Sequence, residues 1–534
     1  MLGVANSSTI CLTYMKESFM MFIGGLIVAI AVEDCKLHER IALKVLLLIG
    51  TEIKWLMMGF MMTTMVLSMW ISNTATTAMM VPIVEAVVGK ITLNANSEEI
   101  QLEERSSLTE SKVCNLDEEG KSTEPNKIQD KSRCSALKVA FLLSVCYSAN
   151  IGGTGTLTGT GPNLVFKGML EELHPESSEI TFATWMMYNI PGMVLCVLIG
   201  WFYLWLVYIR CSKTNHNLQS KENIHGIISK RYDRLGPISN QERTVIVLFF
   251  ILVLLWVFRD PKFIRGWSDV IGSDSKMGDS VAAIAVSFLL FYLPSNFRDL
   301  NSRPVLEWKT AQAKLPWGVI LLLGGGFALA HGAESCMYDP TIKVRMIAHH
   351  IYFYHNSIAI ITVKKTGFGL SKILGEKLTL LNVLPPGAVV AIICFMTAML
   401  TEIASNTTTA TILLPVLDQM ALSIGVNPLY MMLPVSVVCS YAFMLPVATP
   451  PNAIAFENGN MNTLDMAYPG IVMNLICCGV QLFMLNTLGV VMFDIYDMPS
   501  WANYNGSTIL PVNNITMGNL ASIESQLLNN TLLV

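Results

Sequence analysis

Twice in this chain a cluster of Ser, Asn and Thr opens an apolar segment otherwise suited to a membrane interior. Ser72-Asn73-Thr74-Ala75-Thr76 precedes a run carrying Pro82, and Ser405-Asn406-Thr407-Thr408-Thr409 precedes one carrying Pro415; each proline lies nine residues after its asparagine. Upstream stand Phe22-Ile23-Gly24-Gly25-Leu26 in the first half and Leu323-Gly324-Gly325-Gly326-Phe327, then Gly369-Leu370-Ser371, in the second. Each half breaks again downstream, at Thr158-Gly159-Thr160-Gly161-Pro162-Asn163 and at Ala448-Thr449-Pro450-Pro451-Asn452. Asn73 and Asn163 are 90 residues apart and Asn406 and Asn452 are 46 apart, and the excess is close to the size of the polar stretch 90–137, an insertion in one repeat. Backbone that leaves a helix at membrane depth must be buried in protein or line a cavity, so paired breaks point to a site where two repeats meet.

Lipid is the medium that the composition requires. Of 534 residues, 52% are hydrophobic and only 14% charged, and the mean hydropathy is +0.51, too apolar for a soluble enzyme of this length. A net charge of -4 shows no basic excess of the kind that nucleic acid attracts. Apolar runs at 187–209, 243–258, 280–294, 316–333, 386–400, 428–447 and 467–493 read as full spans, whereas 17–32, 41–71, 75–89, 138–148 and 409–422 read as broken ones. The sequence predicts an all-α polytopic membrane protein with about ten transmembrane segments. Residues 1–210 form the first repeat, 211–242 a polar linker, 243–498 the second repeat, and 499–534 a polar tail with sequons at Asn505, Asn514 and Asn529. The twelve cysteines are scattered and imply no disulfide framework, and the His349, His350, His355 group lacks companions for a metal site. Glu85 and Glu402 are read as satisfied interior or interface groups, with a proton relay as the alternative.

Ser, Asn and Thr at a helix start cap free amides that carry the positive end of the helix dipole, so two such starts can hold a dianion without Lys or Arg. Hydroxyls, amide oxygens and the carbonyls freed at Gly161 and Pro450 are the hard donors that alkali cations need. With no basic residue in either motif, sodium is the natural neutralising charge. No Walker A stretch, H-E-x-x-H or serine elbow suggests an enzyme.

These motifs, with I-G-G-T-G-T-L-T-G-T-G-P-N-L-V-F at 151–166, L-G-G-G-F-A-L-A at 323–330 and L-P-V-A-T-P-P-N-A-I-A-F at 445–456, resemble the divalent anion/sodium symporter family over nearly the whole chain. Within it the chain is similar to the sodium/dicarboxylate and sodium/citrate cotransporters, including Indy-like carriers. The resemblance implies a plasma-membrane homodimer of inverted repeats working by an elevator movement, with two re-entrant hairpins bringing the Ser-Asn-Thr tips together. It places one sodium on Ser72, Asn73 and Gly161, and another on Thr401, Asn406 and Ala448, with Pro450 beside it. The carboxylates of a di- or tricarboxylate such as succinate or citrate would meet Asn73, Thr74, Asn406, Thr407 and Thr449, with Thr160 close by. Sulfate carriers of the family favour Ser and Pro where this chain has Ala75 and Thr407, which leans toward carboxylates over a sodium/sulfate carrier. Members usually carry further helices ahead of the region where this chain starts, and their pattern nearly joins Gly332-Ala333-Glu334-Ser335 to Gly367-Phe368-Gly369-Leu370, which marks 336–365 as an insertion. A relative that kept the fold but lost coupled transport, channel-like or receptor-like, is the alternative.

Overall fold

The computed structural model describes residues 7–49, 52–89, 91, 124–210, 219–262, 264–271, 277–299, 302–338 and 385–502. Among these residues the regular structure is helical apart from one Pro294–Pro304 bridge. The first half contains α1 (Ser7–Tyr14), α2 (Glu17–Asp34), α3 (Leu37–Ile49), α4 (Ile53–Ser68), α5 (73–89), α6 (Glu124–Gly152), α7 (Gly161–Leu173) and α8 (Phe182–Leu204), the last prolonged to Arg210 by a π turn. After α9 (Gln219–Asp233), the second half contains α10 (Asn240–Val257), α11 (Trp267–Val270), α12 (Asp279–Tyr292), α13 (Trp308–Lys314), α14 (Trp317–Tyr338), α15 (Pro386–Thr401), α16 (Asn406–Ile424), α17 (Pro428–Val438), α18 (Pro450–Gly459) and α19 (Thr463–Met484).

Five helical stretches among the described residues are long and apolar enough to cross a membrane: Ala136–Gly155, Phe182–Arg210, Asn240–Val257, Asn406–Ile424 and Thr463–Phe493. The α2–α3 pair makes a sixth if its 65° bend lies within one span; Lys36, in the left-handed region at φ 58°, turns the chain there. Several sequence expectations shift. The 138–148 run belongs to an unbroken helix, and 409–422 lies inside a helix of spanning length. The expected full spans 280–294, 386–400 and 428–447 hold shorter helices, Asp279–Tyr292, Pro386–Thr401 and Pro428–Val438, and the apolar part of α14 covers Trp317–Ala328. Helix α6 begins at Glu124, inside the stretch read as a polar loop, and α9 lies inside the stretch read as a linker. The His349, His350, His355 group and most of the 336–365 insertion lie outside the described residues, as do the sequons of the tail.

Burial separates the helices by role. In the spanning window of α6, 83% of residues are buried inside the protein, against 28% for α10, so α6 is a central post and α10 a peripheral helix. Val247, Phe250 and Leu254 on α10, Phe483 on α19 and Val491 beyond it are exposed, as hydrocarbon-facing residues are. Helices α2 and α12 pack with little space between them: a Cβ at Gly24 would lie 2.9 Å from the carbonyl carbon of Ala283, and Ser287 Oγ donates to Gly24 O at 3.1 Å. Small residues permit such backbone approach, which is how helices associate where lipid gives no hydrophobic drive. Arg40 on α3 donates to Gly236 O, Leu235 O and Glu242 Oε1 at 2.8, 3.2 and 3.2 Å, tying α3 to the turn between α9 and α10.

Candidate functional site

Both Ser-Asn-Thr clusters sit at the tip of a helix–turn–helix, one between α4 and α5 and the other between α15 and α16. The tips are built alike. Ser68, five residues before Asn73, places its Oγ 2.5 Å from Asn73 Oδ1 and 2.7 Å from Ala149 O. Thr401, five residues before Asn406, places its Oγ1 2.7 Å from Asn406 Oδ1 and 2.8 Å from Cys439 O. One hydroxyl proton serves one acceptor at a time, so each asparagine oxygen shares its donor with a carbonyl. Ser72 Oγ accepts from Ala75 N at 3.2 Å, whereas Ser405 makes no side-chain cap, which leaves amides at the start of α16 for another acceptor.

The second breaks are also twins. Asn163 Nδ2 donates to Gly153 O at 3.1 Å and Thr156 O at 2.7 Å, ten and seven residues back; Asn452 Nδ2 donates to Ala442 O at 3.0 Å and Leu445 O at 2.8 Å, again ten and seven residues back. Each asparagine, just inside the helix that follows, thus gathers the carbonyls of the unwound segment before it. Gly159 is required in the first loop because a Cβ there would collide with the carbonyl oxygen of Gly153. The second loop has an anchor that the first lacks. Glu402, 3% exposed, accepts from the main-chain amides of Phe443, Met444 and Leu445 at 2.8–3.0 Å and from Asn474 Nδ2 at 2.8 Å. Helical hydrogen bonds that the break removes are thereby replaced by a carboxylate. Its interior role is therefore that of a satisfied group, and Glu85 likewise pairs with Lys138 at 2.9 Å.

Tips and breaks meet across the halves. A Cβ at Gly161, the start of α7, would collide with Thr407 Oγ1 at the start of α16; within the first half, one at Gly153 would lie 2.9 Å from Asn73 Oδ1. Consecutive residues of α6 hold opposite halves: Ala149 O takes the Ser68 hydroxyl, and Asn150 Nδ2 donates to Thr449 Oγ1 at 3.2 Å and Asn452 Oδ1 at 3.1 Å. Of the sequence-predicted residues, the fold brings Asn73, Gly161, Thr401, Asn406, Thr407 and Thr449 into this one network. Thr74 and Pro450 are exposed, and Thr160 and Ala448 half-buried, at the same tips and breaks. Ser68 and Asn150 do not stand out in the sequence on their own, and Asn163 and Asn452 stand out there only as members of the two breaks. Ser68 had a visible signal, since it stands five residues before Asn73 as Thr401 stands before Asn406.

Neither tips nor breaks contain Lys or Arg. What they offer are helix-start amides toward anions and hydroxyl, amide and carbonyl oxygens toward cations, a set suited to an anion and a hard cation together.

A sequence profile described as the sodium:sulfate symporter transmembrane region matches residues 3–361 and 340–495, its two stretches meeting within the 336–365 segment. The mouse Na(+)/citrate cotransporter is 38% identical over 530 residues, covering 94% of this chain and 87% of its own. Human solute carrier family 13 member 2 is 37% identical over 542 residues, and the rat Na(+)/dicarboxylate cotransporter 3 is 36% identical over 546, each match covering 95% of this chain and 86% of the relative.

Proposed function

The chain belongs to the sodium:sulfate symporter family, and we propose that it couples sodium entry to uptake of di- and tricarboxylates such as succinate and citrate. It is a multi-pass membrane carrier and not an enzyme. The observation that carries the reading is the doubled tip, in which a hydroxyl five residues back lies against the asparagine amide in each half. In this reading Ser72, Asn73 and Gly161 hold one sodium, joined by Ser68 because Thr401 occupies the matching place in the other half. Thr401, Asn406, Ala448 and Pro450 hold the second. Asn73, Thr74, Thr160, Asn406, Thr407 and Thr449 receive the substrate carboxylates, and the bound sodium ions supply the charge that no side chain in the motifs provides. Ala75 and Thr407 leave the pocket shaped for carboxylates over sulfate.

The same reading takes the repeats as inverted and the tips as re-entrant hairpins of a homodimer in the plasma membrane, with about ten segments. A body carrying both tips, α6, α7, α17 and α18 is displaced past the remaining helices in an elevator movement. The test is uptake of radiolabelled succinate and citrate by cells expressing the chain, in sodium against choline buffer, with surface protein quantified. Concentrative uptake that disappears in choline supports the proposal. Absence of uptake with normal surface protein refutes it, and sulfate uptake in its place would reassign the substrate.

A further inference from the structure

One buried charge cluster takes no part in this site. Lys167, on α7 and 3% exposed, has its Nζ 2.8 Å from Oδ2 of Asp279, the fully buried first residue of α12, and 3.7 Å from Oε1 of Glu171. The other oxygen of Asp279 lies 2.6 Å from Arg259 Nε, and Trp256 Nε1 donates to Asp279 O at 2.9 Å. Ser18 on α2 donates to Glu171 Oε2 at 2.8 Å, and the Glu17 carboxylate lies against Gly278, where it leaves Oε1 buried without a hydrogen-bond partner. The cluster thus joins α7, which begins at the site, to α2 and α12, which are packed backbone to backbone and carry no site residue.

Three features show that this is more than a packing strut. First, the second half builds the corresponding helix without a charge at this position: Lys167 lies six residues after Gly161, and Phe456 lies six after Pro450. The repeat therefore does not need an ion at this position to fold. Second, the cluster is poorly satisfied, with three carboxylates to two cations and an Arg259–Asp279 contact outside hydrogen-bonding alignment. Buried ion pairs seldom stabilise a fold more than apolar residues of the same volume would, so stability alone does not account for it. Third, each member of the Lys167–Asp279 pair has a partner on its own side of the boundary between the two bodies, which Lys16–Glu172 and Ser18–Glu171 also cross. Lys167 retains Glu171, one turn along α7, and Asp279 retains Arg259 on its own side.

We propose that the Lys167–Asp279 pair is a releasable joint between the site-bearing helix α7 and the α2–α12 pair, closed in the conformation described and opened when the site body is displaced. This rests on the transport reading given above. Opening leaves Lys167 with Glu171 and Asp279 with Arg259, with Glu171 at 34% side-chain exposure and Arg259 at 14% already reaching the edge of the interior.

The test uses the full chain in nanodiscs, free of substrate, and follows hydrogen exchange in segment 161–173. Lys167→Met removes the cross-boundary partner and leaves Asp279 with Arg259, so exchange there is expected to rise about tenfold, the range set by one charge-assisted bond. Arg259→Met leaves Asp279 dependent on Lys167 and is expected to hold or lower exchange in the same segment. A rise of equal size in both variants would mean general loosening and would overturn the proposal, as would unchanged exchange in Lys167→Met. Proteoliposome uptake is the second arm: sodium-dependent succinate binding stays within about twofold of wild type in Lys167→Met while turnover changes about tenfold. A changed affinity at constant turnover would overturn the joint. Failure of the wild-type protein to bind or carry any carboxylate sinks the transport reading instead, and the ligand-free exchange result still decides whether the joint exists.

Discussion

Replacing Glu402 tests whether its carboxylate is the scaffold of the second break. In Glu402→Ala, the amides of Phe443, Met444 and Leu445 and the Asn474 side chain lose their acceptor. Each buried unsatisfied donor costs about 1–3 kcal/mol, so four cost on the order of 4–8 kcal/mol after partial relaxation. That is comparable with the roughly 5–15 kcal/mol by which proteins are folded, and the segment 441–449, which delivers Ala448 and Thr449, would not hold its path. Glu402→Gln keeps one oxygen for Phe443, Met444 and Asn474 and turns an NH2 toward Leu445, a loss of about 2–4 kcal/mol. We expect little monodisperse protein by size-exclusion chromatography for the alanine variant, and for the glutamine variant reduced yield with measurable uptake in what remains. Wild-type yield and uptake in Glu402→Ala would refute the reasoning. Normal yield with abolished uptake in Glu402→Gln would instead return Glu402 to the proton-relay reading.

Further outcomes follow from the tips and their contacts. Asn73→Ala and Asn406→Ala should each abolish sodium-dependent uptake with surface protein unchanged, as measured by biotinylation; uptake retained in both would remove them from the site. Gly161→Ala places a methyl against the end of the Thr407 side chain, which can rotate, whereas Gly24→Ala places it against the backbone of α12. Uptake should therefore fall about tenfold or more at normal yield in the first, and yield itself should fall in the second; equal yields with equal uptake would contradict this. His174 Nε2 and Asp418 Oδ1, 2.7 Å apart and buried, join the far ends of α7 and α16 beneath the ring of Trp501. Asp418→Ala should lower the amount of folded protein, at about 1–3 kcal/mol for the lost bond, and Asp418→Asn should recover most of it; no difference between the two variants would show that the hydrogen bond is not what holds the helices.

Much of the site was legible because its signals are local. Capping residues at a helix start, a proline nine residues on, and a Gly/Pro/Asn break each depend on backbone preferences within a turn or two, and their repetition in register identified both tips and both breaks. Composition was enough to specify lipid. Hydropathy did less well in separating whole spans from broken ones. The run 138–148 is part of the long helix α6 although Ser144, Ser148 and Asn150 interrupt its apolar face. A window scan reads those residues as punctuation, yet Asn150 finds its partners in Thr449 and Asn452, about three hundred residues away. In the other direction, 428–447 scans as one apolar run and is helical only to Val438, because Glu402 supplies the acceptor that lets the chain unwind from 439.

The sequence by itself thus determined the medium, the doubled architecture and the identity of the residues at the tips, since these follow from hydrophobicity and local backbone chemistry. Only the tertiary structure decided that Gly161 lies on Thr407, that Asn150 reaches Thr449 and Asn452, and that Lys167 crosses to Asp279. Those are pairings through space between groups separated by tens or hundreds of residues, and a buried polar group takes whichever partner the packing brings within about 3 Å, a choice that no local preference encodes.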